Sequence, residues 1–466
     1  MIFNDSIYNK NWEIYSLSEL GDFARGKSKH RPRNDINLFK NGSIPFIQTG
    51  EIKDSNLFIL KNNEYYNEFG LKQSKLWDRN TLCITIAANI AETALLNYPA
   101  CFPDSVVGFK ANDLTSETFM YYIFKYIKNE IQKRSSGSTQ DNINIEYLQT
   151  LKFRIPQKNY QNKILSILLN LDKKINLNVE INKNLESLAK TLYNYWFLQF
   201  EFPNEEGKPY KSSGSKMVYN ELLKKEIPED WDIKCFGDIL TKQNRSFEYN
   251  KNVETLDLSV MPSNSFSLND LNESNKFNTN LFTMKKYDLL FGSIRPYLKK
   301  AGIAPCDGAV AGTVHCYTVN KESNYNFALI TLCSNNMFNY AINNSKGTKM
   351  PIVASDDLLK FLIPYNKSIV ELFNKINIKE IISNNIMQNQ ELTKLRDFLL
   401  PLLMNGQVTI QDAEQQVNNT ISNVWNAEKL LRFAQWKQMQ GYAARGEVDE
   451  DTLMKIFDAM DKDAKK

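Results

Sequence analysis

The sequence predicts two copies of an α/β domain, mixed α+β in its elements, alternating with two long helices that pack as an antiparallel coiled coil, the whole forming an internal pseudo-two-fold repeat. Three observations predict it. The 466 residues are 42% hydrophobic and 24% charged, enough apolar material for several cores and hence for more than one domain. The chain is written twice, at a period of about 210 residues. A long stretch with a four-three apolar spacing follows the first globular copy, and a second helical stretch aligns with it after the other.

The repeat is carried by short signatures. Trp12-Glu13-Ile14, followed by Leu20-Gly21-Asp22, returns as Trp231-Asp232-Ile233 followed by Phe236-Gly237-Asp238. The run from Gly137 to Pro156 returns from Gly347 to Pro364, and each closes on Phe-x-Ile-Pro: Phe153-Arg154-Ile155-Pro156 and Phe361-Leu362-Ile363-Pro364. A helical stretch follows each proline, with Leu185 and Leu188 answering Leu392 and Leu395. The boundaries this sets are a first globular domain at 1–157, a helix at 158–200, a linker at 201–228, a second globular domain at 229–365, a second helix at 366–406 and a helical C-terminal extension at 407–466.

Within the globular parts, the apolar runs Thr81 to Ala87 and Tyr287 to Ile294 are bounded by turn residues and read as strands, and Thr115 to Lys133 reads as a helix. In the first long helix Ile164, Leu168, Leu171, Ile175, Leu185, Ala189, Leu192 and Trp196 keep the seam spacing, interrupted at Asn178 and Asn182. The second helix places Asn385 and Asn389 between Ile382 and Leu392 and continues to Leu399. Asparagines buried in a seam cost stability but fix register, so two matched pairs predict a single alignment; the competing reading is that they face solvent in an asparagine-rich chain. A helix of about 40 residues is on the order of 60 Å long, and two of them side by side make a stiff spacer. The extension, with Trp425, Trp436, Leu430, Leu431 and Phe433, then an acidic stretch and Leu453 to Met460, has the periodicity of further helices and no assignable role.

Composition excludes several function classes. No apolar stretch is long enough to span a bilayer, and Met1 to Glu13 is too polar for a signal peptide, so a cytoplasmic protein without membrane contact is expected. Six cysteines, Cys83, Cys101, Cys235, Cys306, Cys316 and Cys333, lie in apolar surroundings without a CxxC pair, which predicts buried thiols and no metal site. With only His30 and His315, acid–base catalysis would rest on carboxylates or lysines. There is no GxxxxGK[ST] loop for a nucleotide, no Asn-Pro-Pro-aromatic motif for a flipped base and no glycine-rich loop for a methyl donor, so neither a catalytic residue nor a cofactor is expected on this chain. Net charge is +4, so any nucleic-acid surface must be a local concentration of cations.

The central stretch reads Trp196-Phe197, then Phe202-Pro203-Asn204, Gly207-Lys208-Pro209-Tyr210-Lys211 and Ser212-Ser213-Gly214, closing at Ile227-Pro228-Glu229-Asp230-Trp231. With Gly137-Ser138-Thr139-Gln140 and the run from Leu399-Leu400-Pro401 through Asn405-Gly406-Gln407-Val408, it resembles the specificity subunits of type I restriction-modification systems. The resemblance covers about Trp12 to Gly406; the tail after Val408 departs from the family. It implies a subunit without chemistry of its own, reading a split double-stranded DNA site with two target-recognition domains. Two methyltransferase subunits would be held through the helices, and restriction/translocase subunits would join afterwards. S-adenosylmethionine, ATP and magnesium would then belong to the partners. Two other readings stand beside it: a stand-alone DNA-binding regulator with the same two-domain plan, and an enzyme with an unrecognised nuclease or methyltransferase site.

The candidate DNA-binding residues follow from chemistry and position. Arg25, Lys27, Lys29, Arg31 and Arg33 place a cation at every second position with no acid between them. In an extended segment all would point one way, a comb suited to phosphates, although Pro32 excludes a central strand and a solvated loop is the alternative. In the second domain the cations are dispersed, with Lys242, Arg245, Lys299 and Lys349 among them. Arg295, in Ser293-Ile294-Arg295-Pro296, follows an apolar strand and is matched by Asn89 in the first domain; arginine and asparagine are the side chains that read guanine and adenine edges. Ser138, Thr139 and Gln140, with Thr348 and Lys349 at the matching place, suit phosphates or base edges, or else cap a turn. Gln48 and Thr49, in Phe46-Ile47-Gln48-Thr49-Gly50, resemble a family segment at the rim of the recognition domain, in a role equally open to a structural reading.

Overall fold

The repeated signatures are the strands on which each globular domain begins and ends. In the computed structural model, which describes residues 6, 8–135, 143–249, 252–277 and 279–420, Glu13–Ser16 pairs antiparallel with Lys152–Ile155, and Asp232–Cys235 pairs the same way with Leu362–Tyr365. The tryptophan signature is thereby zipped to the Phe-x-Ile-Pro signature in each copy. Contacts divide the chain into two units, Met1–Asp172 with Thr393–Lys466, and Lys173–Leu392.

The first unit is built on a five-stranded sheet. Its strands in chain order are β1 (Gly21–Arg25), β2 (Phe58–Ile59), β3 (Leu82–Thr85), β4 (Thr93–Leu96) and β5 (Val106–Ala111), and across the sheet they run β1-β5-β3-β4-β2. β3 and β4 are buried at every residue, which is why the sequence there is apolar apart from Thr85 and Thr93 rather than alternating. Helix α1 (Glu117–Ser135) packs against β3, β4 and β5, burying Phe119, Tyr122, Ile123, Phe124, Ile127 and Ile131. The second unit has a four-stranded sheet of β6 (Leu240–Gln243), β7 (Leu289–Gly292), β8 (Ala301–Ile303) and β9 (Val314–Val319), in the order β6-β9-β7-β8. Each unit carries a further four-stranded sheet of short strands.

The long helices are α2 (Lys158–Tyr193), continued by a π-helical turn at Asn194–Leu198, and α3 (Ile378–Met404). In the second unit their asparagines pair. Asn178 Nδ2 donates to Asn389 Oδ1 at 2.8 Å and Asn385 Nδ2 donates to Asn182 Oδ1 at 2.8 Å. One turn up α2 meets one turn down α3, so these segments run antiparallel in one register. All four asparagines are buried, alongside Ile382 and Leu392, with Ile175, Leu185 and Leu192 half-buried. In the first unit Leu171 and Leu399 are fully buried, and Asp172 accepts from Arg396 at 2.8 Å and from the Tyr122 hydroxyl at 2.5 Å. α3 closes at Gly406 with φ +58°, the left-handed conformation a helix C-terminus favours.

Three expectations are corrected. The second helix, expected at 366–406, is interrupted: Lys367–Phe373 ends before α3 begins at Ile378. The reason is a buried side chain, Asn326, whose amide donates to the carbonyls of Phe373 at 3.2 Å and Ile376 at 2.7 Å and so replaces the helical bonds missing at the break. The linker 201–228 contains a hairpin, Met217–Asn220 against Lys225–Pro228. Cys235 is exposed, unlike Cys83, Cys101 and Cys316, because it sits on the two-stranded edge pair rather than in a core. The extension is helical from 410 to 420, and the features expected beyond, Trp425 and Trp436 included, lie outside the described residues.

Two contacts fix the second domain to the helices within its unit. The buried carboxylate of Glu186 on α2 accepts from Ser265 Oγ at 2.7 Å and Ser267 N at 2.9 Å, and Gln390 on α3 donates to the Asn269 carbonyl at 2.6 Å. An aromatic cluster completes the anchorage: Tyr193, Phe197, Phe200 and Phe202 meet Trp231, Phe327 and Phe373 with centroids 4.7–6.4 Å apart. A buried amide left without its partner costs about 1–3 kcal/mol, whereas replacing both partners by apolar groups is close to neutral. Asn182→Ala or Asn385→Ala alone is therefore expected to lower stability, read as a lower urea midpoint with an unchanged slope, by that amount, and the paired change to leucine to recover most of it. Single variants with an unaltered midpoint would mean the amides are solvated.

Candidate nucleic-acid interface

Strand direction gathers the candidate residues of the first unit at one end of its sheet. β5 lies between β1 and β3 and is antiparallel to both, with Val107 opposite Arg25 on one side and Ile84 on the other. The C-terminal ends of β1 and β3 therefore emerge side by side, two strand spacings or about 10 Å apart. From β1 the chain continues into the basic comb. Gly26 and Ser28 are buried while Arg25, Lys27 and Lys29 are exposed, the alternation an extended segment imposes. Gly26 is needed there because a Cβ would stand 2.2 Å from the Phe102 carbonyl oxygen. The segment is held by Lys27 N to Phe102 O at 3.1 Å, by Ser74 Oγ to Lys27 O at 2.7 Å and by His30 N to Gln73 Oε1 at 3.0 Å.

Only three teeth of the comb are available. Arg25, Lys27 and Lys29 have no side-chain partner among the described residues. Arg31 turns back to the carbonyls of Ser28 at 2.6 Å and His30 at 2.8 Å, and Arg33 forms a two-pronged pair with Asp104 at 2.9 and 3.0 Å. The chain turns at 30–34, so the alternation that aimed the first three ends there. Exposed Lys72 and Lys75 flank the Gln73-Ser74 anchor, cations that sequence spacing did not connect with the comb.

From β3 the chain enters a loop whose apex is Asn89, exposed and at φ +47°. The loop is rigidly founded: Thr85 Oγ1 donates to the Asn89 carbonyl at 2.5 Å, Lys128 of α1 pairs with Glu92 at 2.8 Å and Gln132 donates to Ile90 O at 2.8 Å. Ile143 N donates to Ile86 O at 3.0 Å, tying the segment after residue 142 to the base of this loop. Ser138, Thr139 and Gln140 lie outside the described residues. Gln48 is exposed, but its amide is held by Glu64 at 2.7 Å and its backbone N–H by Glu51 at 2.8 Å; Thr49, half-buried, opens the short helix that follows. Both serve a helix start.

The second unit repeats the geometry. β9 lies between β6 and β7, with Cys316 opposite Gln243 and Leu290. The loop after β7 presents Arg295, exposed at φ +52° and without a side-chain partner among the described residues. This loop is zipped to a second one. Ile294 bridges Ile352, Arg295 N donates to Pro351 O at 2.7 Å and Val353 N donates to Ser293 O at 3.0 Å. Lys346 and Ile352 exchange backbone bonds at 2.8 and 2.9 Å, closing a turn whose tip, Gly347 at φ +99° through Met350, is exposed. Thr348 and Lys349 thus stand beside Arg295. His315 supports the turn by donating from Nε2 to Val353 O at 3.0 Å, and burial holds its imidazole below the usual histidine value.

Three second-domain candidates do other work. Ser293 is buried and donates to Thr313 O at 2.7 Å. Arg245 reaches back to the buried carboxylate of Asp288 at 2.5 Å and to Thr318 at 3.0 Å, because that carboxylate, which also accepts from Lys285 N and Thr318 Oγ1, needs a counter-charge. Lys299 donates to Asn335 at 2.9 Å. Lys242 is exposed on β6. Among the described residues there is no group of three or more His, Cys, Asp or Glu able to hold a metal, and no helix long and apolar enough to cross a membrane.

Residues 9–187 match the family model described as the type I restriction modification DNA specificity domain. The chain is 25% identical over 432 residues to the type I restriction enzyme MjaIX specificity subunit of Methanocaldococcus jannaschii, an alignment covering 86% of this chain and 95% of that one. It is 22% identical over 472 residues to the HindI specificity subunit of Haemophilus influenzae, covering 85% of this chain and all of the relative. Among solved structures, the S subunit of a type I restriction-modification system from M. genitalium shares the fold, with a TM-score of 0.50 at 15% identity over 86% of this chain and 99% of that one.

Arg245→Ala strands the Asp288 charge and is expected to cost about 3 kcal/mol of stability, read by chemical denaturation. Lys242→Ala, on an open face, should stay within about 0.5 kcal/mol. Equal costs for the two would remove the structural assignment of Arg245.

Proposed function

We infer the task of this chain from the family to which it belongs, the specificity subunits of type I restriction-modification systems: it is the DNA-recognition subunit of such a complex, not its catalytic one. The regulator reading has nothing to support it. We assign each globular domain one half of a bipartite site in double-stranded DNA. The single observation that supports this most is the shared design of the two loops that follow the central strands, one raising Asn89 and the other Arg295 on left-handed backbone, each tied to the segment that precedes the closing strand. Asparagine pairs with an adenine edge and arginine with a guanine edge, each such contact contributing about 1–3 kcal/mol of discrimination. Arg25, Lys27 and Lys29 would grip phosphates beside the first reader, and Thr348 and Lys349 beside the second.

The long helices are assigned the role of spacer, an antiparallel coiled coil within an internally repeated chain. Two methyltransferase subunits would dock on them. Leu177, Ile181 and Leu188, exposed on the outer face of α2 at helical spacing, suit such a partner. Restriction/translocase subunits would join that assembly. S-adenosylmethionine, ATP and magnesium would be held by the partners, in keeping with a sequence that has no phosphate-cradling loop.

Exchanging Trp231 to Pro364 for the same segment of a relative should alter one half of the methylated sequence in the host genome and leave the other as it was. A change in both halves would refute independent readers. Replacing Arg25, Lys27 and Lys29 together by alanine should flatten the dependence of log affinity on log salt by about three units, one for each phosphate no longer neutralised. An unchanged slope returns the comb to a solvated loop.

A further inference from the structure

The second reading loop presents apolar side chains to solvent. Tyr297, Met350 and Ile352 are 51%, 50% and 47% exposed, and all three belong to the two loops that are zipped together around Arg295. Single exposed apolar residues are ordinary, but several on two loops joined by backbone bonds are not, and Arg295, Lys346 and Lys349 are exposed on the same two loops. Between residues 86 and 92 of the first unit no large apolar side chain is exposed.

We propose that Tyr297, Met350 and Ile352 form an apolar jaw that packs on the C5-methyl group of a thymine next to the base read by Arg295. The inference rests on the reading of this loop as a DNA reader and adds to it the kind of base pair it takes. Chemical elimination at a groove leads to it. The cations commit these loops to a polyanion, and the thymine methyl is the one apolar group that a standard base pair displays on its major-groove edge. Arg295, locked by its backbone bond to Pro351, presents five donors and no apolar surface at its head, so it cannot make that contact itself. Met350 can, because a thioether on a flexible stem adapts to a small convex group. The second half-site therefore holds a thymine adjacent to a guanine.

The experiment uses the full chain purified with its methyltransferase partner and a duplex carrying the site mapped from methylated bases in the host genome. Each thymine of the second half-site is replaced in turn by deoxyuridine, which removes the methyl and nothing else. One position should weaken binding about fourfold, the worth of one buried methyl. Met350→Ala should weaken binding to the thymine duplex by a similar factor and bind the deoxyuridine duplex no worse than the parent does, so the two effects do not add. The Met350 side chain is on the surface, so the variant keeps its fold. Sequence-specific binding that is indifferent to every such replacement, or a second half-site without thymine, overturns the jaw while leaving DNA reading intact. Absence of sequence-specific binding by the parent overturns the reading beneath it as well.

Discussion

A buried asparagine must find a partner, and in the second unit that requirement aligns α2 and α3. Asn178 with Asn389 and Asn182 with Asn385 both match in one antiparallel register only; a slip by one layer of the seam keeps a single asparagine pair and leaves the other two amides facing isoleucine or leucine. Each unpaired amide would cost about 1–3 kcal/mol, so two of them remove a large share of a domain's ordinary stability and the native register is preferred. An all-leucine seam would hold more tightly but would accept several alignments. The register matters because Glu186 and Gln390, one on each helix, hold the segment from Ser265 to Asn269, and both grips close only when the helices are correctly aligned.

The same logic of fixed foundations holds at the loops that carry Asn89 and Arg295. Asn89 and Arg295 occupy left-handed backbone, which side chains other than glycine adopt at a cost of order 1 kcal/mol or more. The surroundings sustain it: Thr85, Lys128 and Gln132 brace the first loop, and Pro351, Thr313 and His315 brace the second directly or through its neighbour. On the proposed function, a side chain held in this way gives up little freedom on binding, so more of each base contact would survive as affinity. Arg245, by contrast, is taken up within the fold, where it neutralises the buried carboxylate of Asp288.

Much of this was written in the chain itself. The repeated Trp-x-Ile and Phe-x-Ile-Pro signatures, the largely apolar strands at Leu82–Thr85 and Leu289–Gly292, and the matched asparagines are all local patterns, and local patterns follow from side-chain periodicity alone. The pairing of Asn89 with Arg295 was legible for the same reason, since each follows its strand at a similar distance. What the chain could not disclose were contacts made across it. That Arg245 turns inward depends on Asp288 being buried, that Arg31 is spent on its own loop depends on where the chain turns, and that the helix breaks before Ile378 depends on Asn326 arriving from elsewhere to take its carbonyls. Sequence periodicity determined the first long helix, the asparagine-bearing part of the second and the residues that alternate outward; only tertiary structure decided where the second helix begins, which exposed-looking charges are neutralised within the fold and which loops meet, because burial and hydrogen-bond partners belong to pairs of residues distant in the chain and no local pattern encodes them.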